Sequence, residues 1–572
     1  MLTELKNLEG LLEATVFPWS TPHSEQGAKA TSYTLRQLQD YVIARLETLD
    51  APLLVVVGGS TGAGKSTLVN SIFGQNLTQA SALRPTTRRP TLVYNPQDEQ
   101  WFTGERILPQ LARVRSSSPT QDAHLSAQEL TSELAMVPNA DVPRGIALLD
   151  SPDIDSVVKE NRELANQLLA GADLWVFVTT AARYADAAAW SLLDEAAKRN
   201  VSAAVVLNRV SPSDEALIAQ DLREKMKARN LAGAPLFTIA ESQLTEQGRI
   251  TNERIEPLRN WLFTLAGDAA ARAEVARQTL NGALLDLVAR GETVVKGYGE
   301  QVAVTQTLQE TAQTRLDEAA ENISRASSDG TLLRGELLGR WQDVVGTGDW
   351  SRKLEGGISR LRDRIVRAIT GKPEPQVQAA QVAIEDGVYQ LIYDEVTAAV
   401  RDIRSDWEKI DPQMLSEYLQ QGTLRSDEER SEGVARLVRD WQAGLLDLVS
   451  SEGASKKTTA RILSLGVNAV GVALIIVVFA NTGGLVGGEV AVAGGTAVVA
   501  QKVLEAVFGD DAVRRMTARV KADLDQRVAQ FVDVDRAQLI EAVAKIGVNG
   551  AHLENLTRTY SSVEREVSEG RA

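Results

Sequence analysis

Residues Gly59-Ser60-Thr61-Gly62-Ala63-Gly64-Lys65-Ser66 restrict what this chain can become more than any other stretch, because the apolar run Leu53–Val57 precedes them directly. The order is a buried strand, a loop of the form G-x-x-x-x-G-K-S, and an apolar helical pattern opening at Thr67 and running to Phe73. Glycines let successive backbone N–H groups turn inward around phosphate oxygens, and Lys65 adds a point charge at the β- and γ-phosphates. Ser66 offers its hydroxyl to Mg²⁺, while the helix N-terminus turns its positive dipole end toward the anion. The expected ligand is a nucleoside triphosphate with Mg²⁺, cradled by Gly59 to Thr67.

Further apolar runs follow at Thr91–Tyr94, Ile146–Asp150, Leu174–Val178, Ala203–Val210 and Leu236–Ala240. They alternate with helical patterns over Asn161–Gly171, Ala185–Arg199 and Ser213–Asn230. Such alternation predicts an α/β P-loop domain, a mostly parallel sheet with helices on both faces. Three segments then gain chemical meaning. Arg84-Pro85-Thr86-Thr87-Arg88-Arg89-Pro90 is a polar stretch placed where switch-type nucleotide hydrolases set a hydroxyl against metal and γ-phosphate. Asp150 ends an apolar strand and can hold Mg²⁺ through water. Asn208-Arg209 ends another.

Together these residues resemble the dynamin-like GTPases over roughly positions 50–245, through Val55–Gly59 before the loop, Thr87-Arg88-Arg89-Pro90 as the second motif and Asp150-x-Pro152 as the third. The resemblance implies a GTPase using GTP and Mg²⁺. Lys65 and Ser66 would grip phosphate and metal, Thr87 would be the switch threonine and a metal ligand, Asp150 the metal-side carboxylate, and Asn208 with Arg209 part of the base site. It also implies pairing of heads, either self-association or association with a paralogous dynamin-like GTPase, and a long helical stalk. Departures are visible. Asp153 stands where the third motif ends in glycine, and its carboxylate would face a polyanion. Ser211 stands where the fourth motif supplies a guanine-reading aspartate, with Asp214 three residues later, and Thr61 and Gly62 replace a Gln and a Ser of the loop.

A second feature lies far downstream. From Ile462 to Gly488 there are 27 residues without a charge, and after Glu489 the chain stays uncharged to Gln501. As a helix, Ile462–Ala480 is about 28 Å long, close to the hydrocarbon thickness of a bilayer. Asn481-Thr482-Gly483-Gly484 and Gly487-Gly488 break the run before a second arm, Val490–Phe508. The pattern reads as a hydrophobic helical hairpin entering a membrane and returning, flanked by Lys456, Lys457, Arg461, Arg514, Arg515, Arg519 and Lys521 on the cytoplasmic side. A buried hairpin inside a helical bundle is the competing reading.

Between these features, Leu308, Ala312, Leu316, Ala319 and Ile323 draw a narrow, coiled-coil-like seam, with similar spacing over Ile384–Val400 and Val434–Leu448, and Val513–Val563 is again helical with a break near Gly547-Val548-Asn549-Gly550. Turn signals stand at Gly346-Thr347-Gly348, Gly371–Pro375 and Asp411-Pro412. Arg352–Lys372 is a basic amphipathic stretch suited to anionic lipid or to a solvated face. The expected division is an N-terminal helical segment (1–50, with a helix over Tyr33–Leu49), a GTPase domain (51–265), a helical stalk (266–455), a membrane-interacting hairpin (456–510) and returning stalk helices (511–572).

The 572 residues carry a net charge of −15, which argues against nucleic acid as a partner. There is no cysteine, hence no disulfide or thiolate metal site, and His23, His124 and His552 are scattered as surface residues. The leading expectation is a GTPase on the cytoplasmic side of the cell membrane, remodelling, fusing or maintaining that lipid membrane through nucleotide-driven self-association. A membrane-tethered, Era-like regulatory GTPase and an ATP-driven transport component are the alternatives.

Overall fold

Continuous apolar character along Leu53–Gly59 makes this strand, β1, fully buried in the computed structural model. Its side chains alternate between two cores. Leu54 and Val56 enter one cluster and Leu53, Val55 and Val57 the other, one on each face of a sheet. The residues described are 1–79, 89–104, 107–108, 110–115, 132–153, 159–186, 190, 193–194, 196–197, 201–229, 231–330, 332, 374–412, 424–452, 466–480 and 490–570. Thr87 and Arg88, His124, the basic stretch Arg352–Lys372, the turn signals at 346–348 and 371–373, Lys456, Lys457, Arg461 and the hairpin tip 481–489 lie outside them.

The other strands are β2 (Thr91–Tyr94), β3 (Ala112–Arg115), β4 (Glu133–Pro138), β5 (Ile146–Asp150), β6 (Leu174–Thr180), β7 (Ser202–Val210) and β8 (Leu236–Ala240). They form one eight-stranded sheet in the order β3-β4-β2-β5-β1-β6-β7-β8. Among the described residues only the β2–β5 pair is antiparallel, and the sheet is mostly parallel as expected. The short strands β3 and β4 escape the sequence reading. Ala112–Arg115 carries two arginines on a half-exposed edge, and Glu133–Pro138 begins with a charge and ends with proline.

Two compact units divide the chain: residues 1–17, 21–301 and 550–572 form the first, and 18–20 with 302–549 the second. In the first unit, helices α1 (Leu2–Glu13), α2 (Ser24–Gln37) and α3 (Ile43–Glu47) precede the sheet, with a π-helical turn over Leu38–Val42 between α2 and α3. One buried carboxylate ties this segment to the sheet. Asp173 accepts bonds from the Arg45 guanidinium, the Tyr41 hydroxyl and the Leu54 backbone N–H at 2.7–3.1 Å. On the sheet's faces lie α4 (Lys65–Phe73), α5 (Lys159–Ala170), α6 (Glu215–Lys227) and α7 (Asn252–Gly267). The long helix α8 (Ala269–Ala326) has its residues from Val302 onward in the second unit.

The second unit is all helical among the described residues: α9 (Glu374–Glu408), α10 (Asp427–Glu452), α11 (Val467–Ala480), α12 (Val490–Phe508) and α13 (Asp510–Ala544). The seam Leu308, Ala312, Leu316, Ala319 and Ile323 is buried throughout. The last helix, α14 (Gly550–Ser568), belongs to the first unit and packs on α1. There the supposed surface histidine His552 is half-buried, its Nε2 2.9 Å from the Thr15 hydroxyl. His23 is half-buried as well, its Nδ1 2.5 Å from Glu300. A polar side chain between packed helices is enclosed when a partner satisfies it.

The uncharged arm differs from its membrane-spanning expectation. The described helix α11 has 14 residues, about 21 Å at the α-helical rise. No described helix is long and apolar enough to cross a membrane. Instead α11 is wrapped by protein. Ala469 to Phe479 are all buried, with α9, α10, α12 and α13 packed around them. Phe479 stacks on Trp441 at 6.1 Å between ring centroids, and a Cβ on Gly471 would stand 3.0 Å from Leu446 Cδ2. That glycine lets α10 and α11 approach closely. The described residues of this arm thus form a packed helix, and absence of charge makes a helix equally suited to lipid and to a protein interior.

Candidate functional site

The phosphate loop sits between the end of β1 and the first turn of α4, as its sequence dictates. Gly64 adopts φ 93° as the residue before the helix, and a Cβ there would meet the Asn208 amide nitrogen at 2.6 Å. Only glycine fits both demands. The Ala63 N–H bonds the Ser60 carbonyl at 3.1 Å, closing the loop onto itself. Lys65 and Ser66 open the helix and are buried; Thr61, Gly62, Gly64 and Thr67 are half-buried.

Asn208 braces this loop from β7. Its amide donates to the Ala63 carbonyl at 2.8 Å, and its Oδ1 accepts from the Arg209 N–H at 3.0 Å. Arg209 follows at an irregularity of the β7–β8 ladder, in a left-handed conformation (φ 55°), and its side chain is exposed. The Ser211–Asp214 turn comes next, with the Ser211 and Ser213 hydroxyls 2.8 Å apart and Ser213 donating to Asp214 at 3.2 Å. Asp214 is thus linked to the fourth-motif position through a hydroxyl relay rather than occupying it.

Asp150 ends β5 beside Val57 of β1. It is fully buried, and neither carboxylate oxygen makes a hydrogen bond of standard geometry. Burial pushes its carboxyl up to about 6, while the Ser66 hydroxyl, the Lys65 charge and the Thr78 hydroxyl pull it down without reaching full hydrogen-bond geometry. A buried carboxylate with two unsatisfied oxygens beside a serine hydroxyl is the donor chemistry that a hard divalent cation completes. Ser66 and Asp150 therefore fit Mg²⁺. Thr87, the third expected ligand, lies outside the described residues, whereas Arg89 of the same motif is buried against Glu133 at 3.3 Å.

Two features lay beyond the sequence reading. Asn70 accepts from the Leu77 and Thr78 N–H groups at 2.8 Å, and Thr78 donates to the Ser66 carbonyl at 3.3 Å. This network fixes the chain where it leaves α4, and nothing in its spacing announces it. The other is Asp153. Its Oδ1 accepts from Lys65 Nζ at 2.5 Å, with both side chains at most 7% exposed.

Fold and loop together define a P-loop nucleotide-binding domain of the GTPase class. Residues 55–210 match the sequence model of the dynamin family. That segment is a GTPase domain of the dynamin family.

A search of curated proteins returns no match. Among solved structures, two chains described as an oligomerised bacterial dynamin pair that senses and tethers membranes overlap 98% and 96% of this chain, and 95% and 96% of their own. Both are 10% identical, with TM-scores of 0.35 and 0.37. Era of Aquifex aeolicus, bound to GDP and aluminium fluoride, is 18% identical over 37% of this chain at a TM-score of 0.24, and the overlap spans 56% of the Era chain. An Era complex with MgGDPNP and a piece of ribosomal RNA gives 19% identity over the same shares of the two chains. These overlaps are loose, and the family assignment rests on the sequence model.

Proposed function

We propose that this GTPase works on a lipid membrane, inserting the α11–α12 hairpin from the cytoplasmic side in the course of its nucleotide cycle. The observation that carries this reading is the uncharged run Ile462–Gly488, joined on one polypeptide to a dynamin-family head. GTP would lie along Gly59–Thr67, with Lys65 at the β/γ-phosphates and Arg209 flanking the base. Ser66, Thr87 and Asp150 would hold Mg²⁺, which neutralises charge on the transferring phosphoryl group. Asn208 keeps the loop in its binding shape through the Ala63 carbonyl. Heads would pair, with a second copy or a paralogous GTPase; the bacterial dynamin pair is described as oligomerised. Flotation with anionic vesicles tests the reading: the intact chain should co-float with GTP and Mg²⁺ and stay behind with GDP.

A second reading draws on the burial of Ala469–Phe479. In it the hairpin is a permanent core, and the chain is a regulatory switch that leaves lipid undisturbed. Flotation in no nucleotide state, with GTP binding intact, would favour it.

A further inference from the structure

Lys65 has three N–H donors, and all three are engaged. It donates to the Gly59 carbonyl at 2.9 Å, to the Ser60 carbonyl at 3.3 Å and to the Asp153 carboxylate at 2.5 Å. The two carbonyls belong to the loop itself and stay with it. Among the described residues the Asp153 carboxylate is the anion that hydrogen-bonds Lys65, and it takes the donor that the chemistry of this loop assigns to a phosphate oxygen.

Asp153 is not a long, loose side chain that wanders in from solvent. The preceding residues hold it: Ser151 donates to the Val57 carbonyl from its hydroxyl (2.9 Å) and its N–H (3.3 Å), and Pro152 follows. This anchoring to β1 fixes the chain two residues before Asp153, whose carboxylate reaches Lys65. The pair is buried at both ends, so water and salt screen it little, unlike a surface ion pair.

We propose that Asp153 is a resident surrogate for a phosphate oxygen, so that nucleotide uptake at this site is an exchange of anions on Lys65. The incoming phosphate must take the ammonium from Asp153. The displaced carboxylate, still tethered through Ser151, then faces a polyanion of like charge. Both effects lower affinity, and the second bears harder on a triphosphate than on a diphosphate because of its additional charge. Asp153 is thus a residue that sets nucleotide affinity in this GTPase, at a position where the family pattern carries an uncharged glycine.

The test compares wild type with Asp153→Asn, Asp153→Gly and Asp153→Glu by calorimetric titration with GTPγS and with GDP, beside thermal unfolding without nucleotide. Asp153→Asn should bind GTPγS roughly ten- to a hundredfold tighter, as loss of one charged hydrogen bond implies, with a smaller gain for GDP. Its unfolding midpoint without nucleotide should fall at the same time. Asp153→Glu, which keeps the charge, should show no such gain in affinity. A merely structural residue would lose both affinity and stability. Unchanged or weaker binding by a folded Asp153→Asn protein overturns the proposal. Should that variant unfold, Asp153→Gly decides by the same criterion. Wild type that binds neither GTPγS nor ATPγS would defeat the nucleotide assignment itself, and this inference with it.

Discussion

The phosphate site and the apolar hairpin are both uncommon stretches of sequence, yet they differ in how far sequence determines their surroundings. In the head, each unusual residue has a geometric reason. Gly64 must be glycine because of its φ and Asn208, and Asp150 waits buried at a strand end with unsatisfied oxygens. In the helical unit, Val467–Ala480 is unusual only in lacking charge, and its surroundings are helices. Directional chemistry specifies its partner; apolarity specifies only that water is excluded.

The largest effect that can sharpen this contrast lies at Lys65. Lys65→Met should abolish measurable GTP binding in titration calorimetry. It should also destabilise the first unit by about 3 kcal/mol in urea unfolding, because it strands Asp153 as a buried unpaired charge. The matching perturbation of the hairpin is Gly471→Leu, which wedges α10 from α11. Overpacking of this kind costs about 2 kcal/mol. The loss should fall on the second unit's unfolding transition, with GTP affinity unchanged. A Gly471→Leu protein that unfolds like wild type would break the contrast, since α11 would not be a packed core helix.

A third, similar effect concerns Asp40 in the π-helical turn. Burial raises its carboxyl from 3.8 to about 6, with the Gln167 amide and the Arg36 charge opposing weakly. The folded protein therefore binds this proton more tightly than the unfolded chain, and the resulting stability is lost as pH rises from about 4 to 6. Asp40→Asn should stabilise the first unit by ~2 kcal/mol at pH 7.5 and by little near pH 4, as read by chemical denaturation. The smallest effect is expected at Asn208. Asn208→Ala frees the Ala63 carbonyl and should weaken GTP binding about tenfold, at a stability cost of about 1 kcal/mol.

The strands β1, β2, β5, β6, β7 and β8 were legible because continuous apolar runs between helical patterns have few other uses. β3 and β4 were not, because Ala112–Arg115 lies on a half-exposed edge and Glu133 and Pro138 interrupt the pattern of β4. Within the site, the loop Gly59–Ser66 and the strand-end positions of Asp150 and Asn208 could be read from the pattern, whereas the bracing of Ala63 by Asn208 could not. Asp153 was legible only as a conflict with polyanion. Its actual partner, Lys65, is 88 residues away, and no local pattern encodes a contact between the segments that follow the neighbouring strands β1 and β5. The half-buried settings of His23 and His552 rest equally on distant partners, Glu300 and Thr15.

The proposed function requires GTP to move an apolar helix from a protein interior into lipid. Vesicles carrying a photoreactive diazirine in their acyl chains test it on the unmodified protein, with crosslinked peptides mapped by mass spectrometry. Crosslinks within Val467–Ala480 should form with GTPγS and Mg²⁺ and be absent with GDP. Saturating GTPγS binding with no acyl-chain crosslink to this helix would contradict the claim and leave a nucleotide switch around a permanently closed helical core.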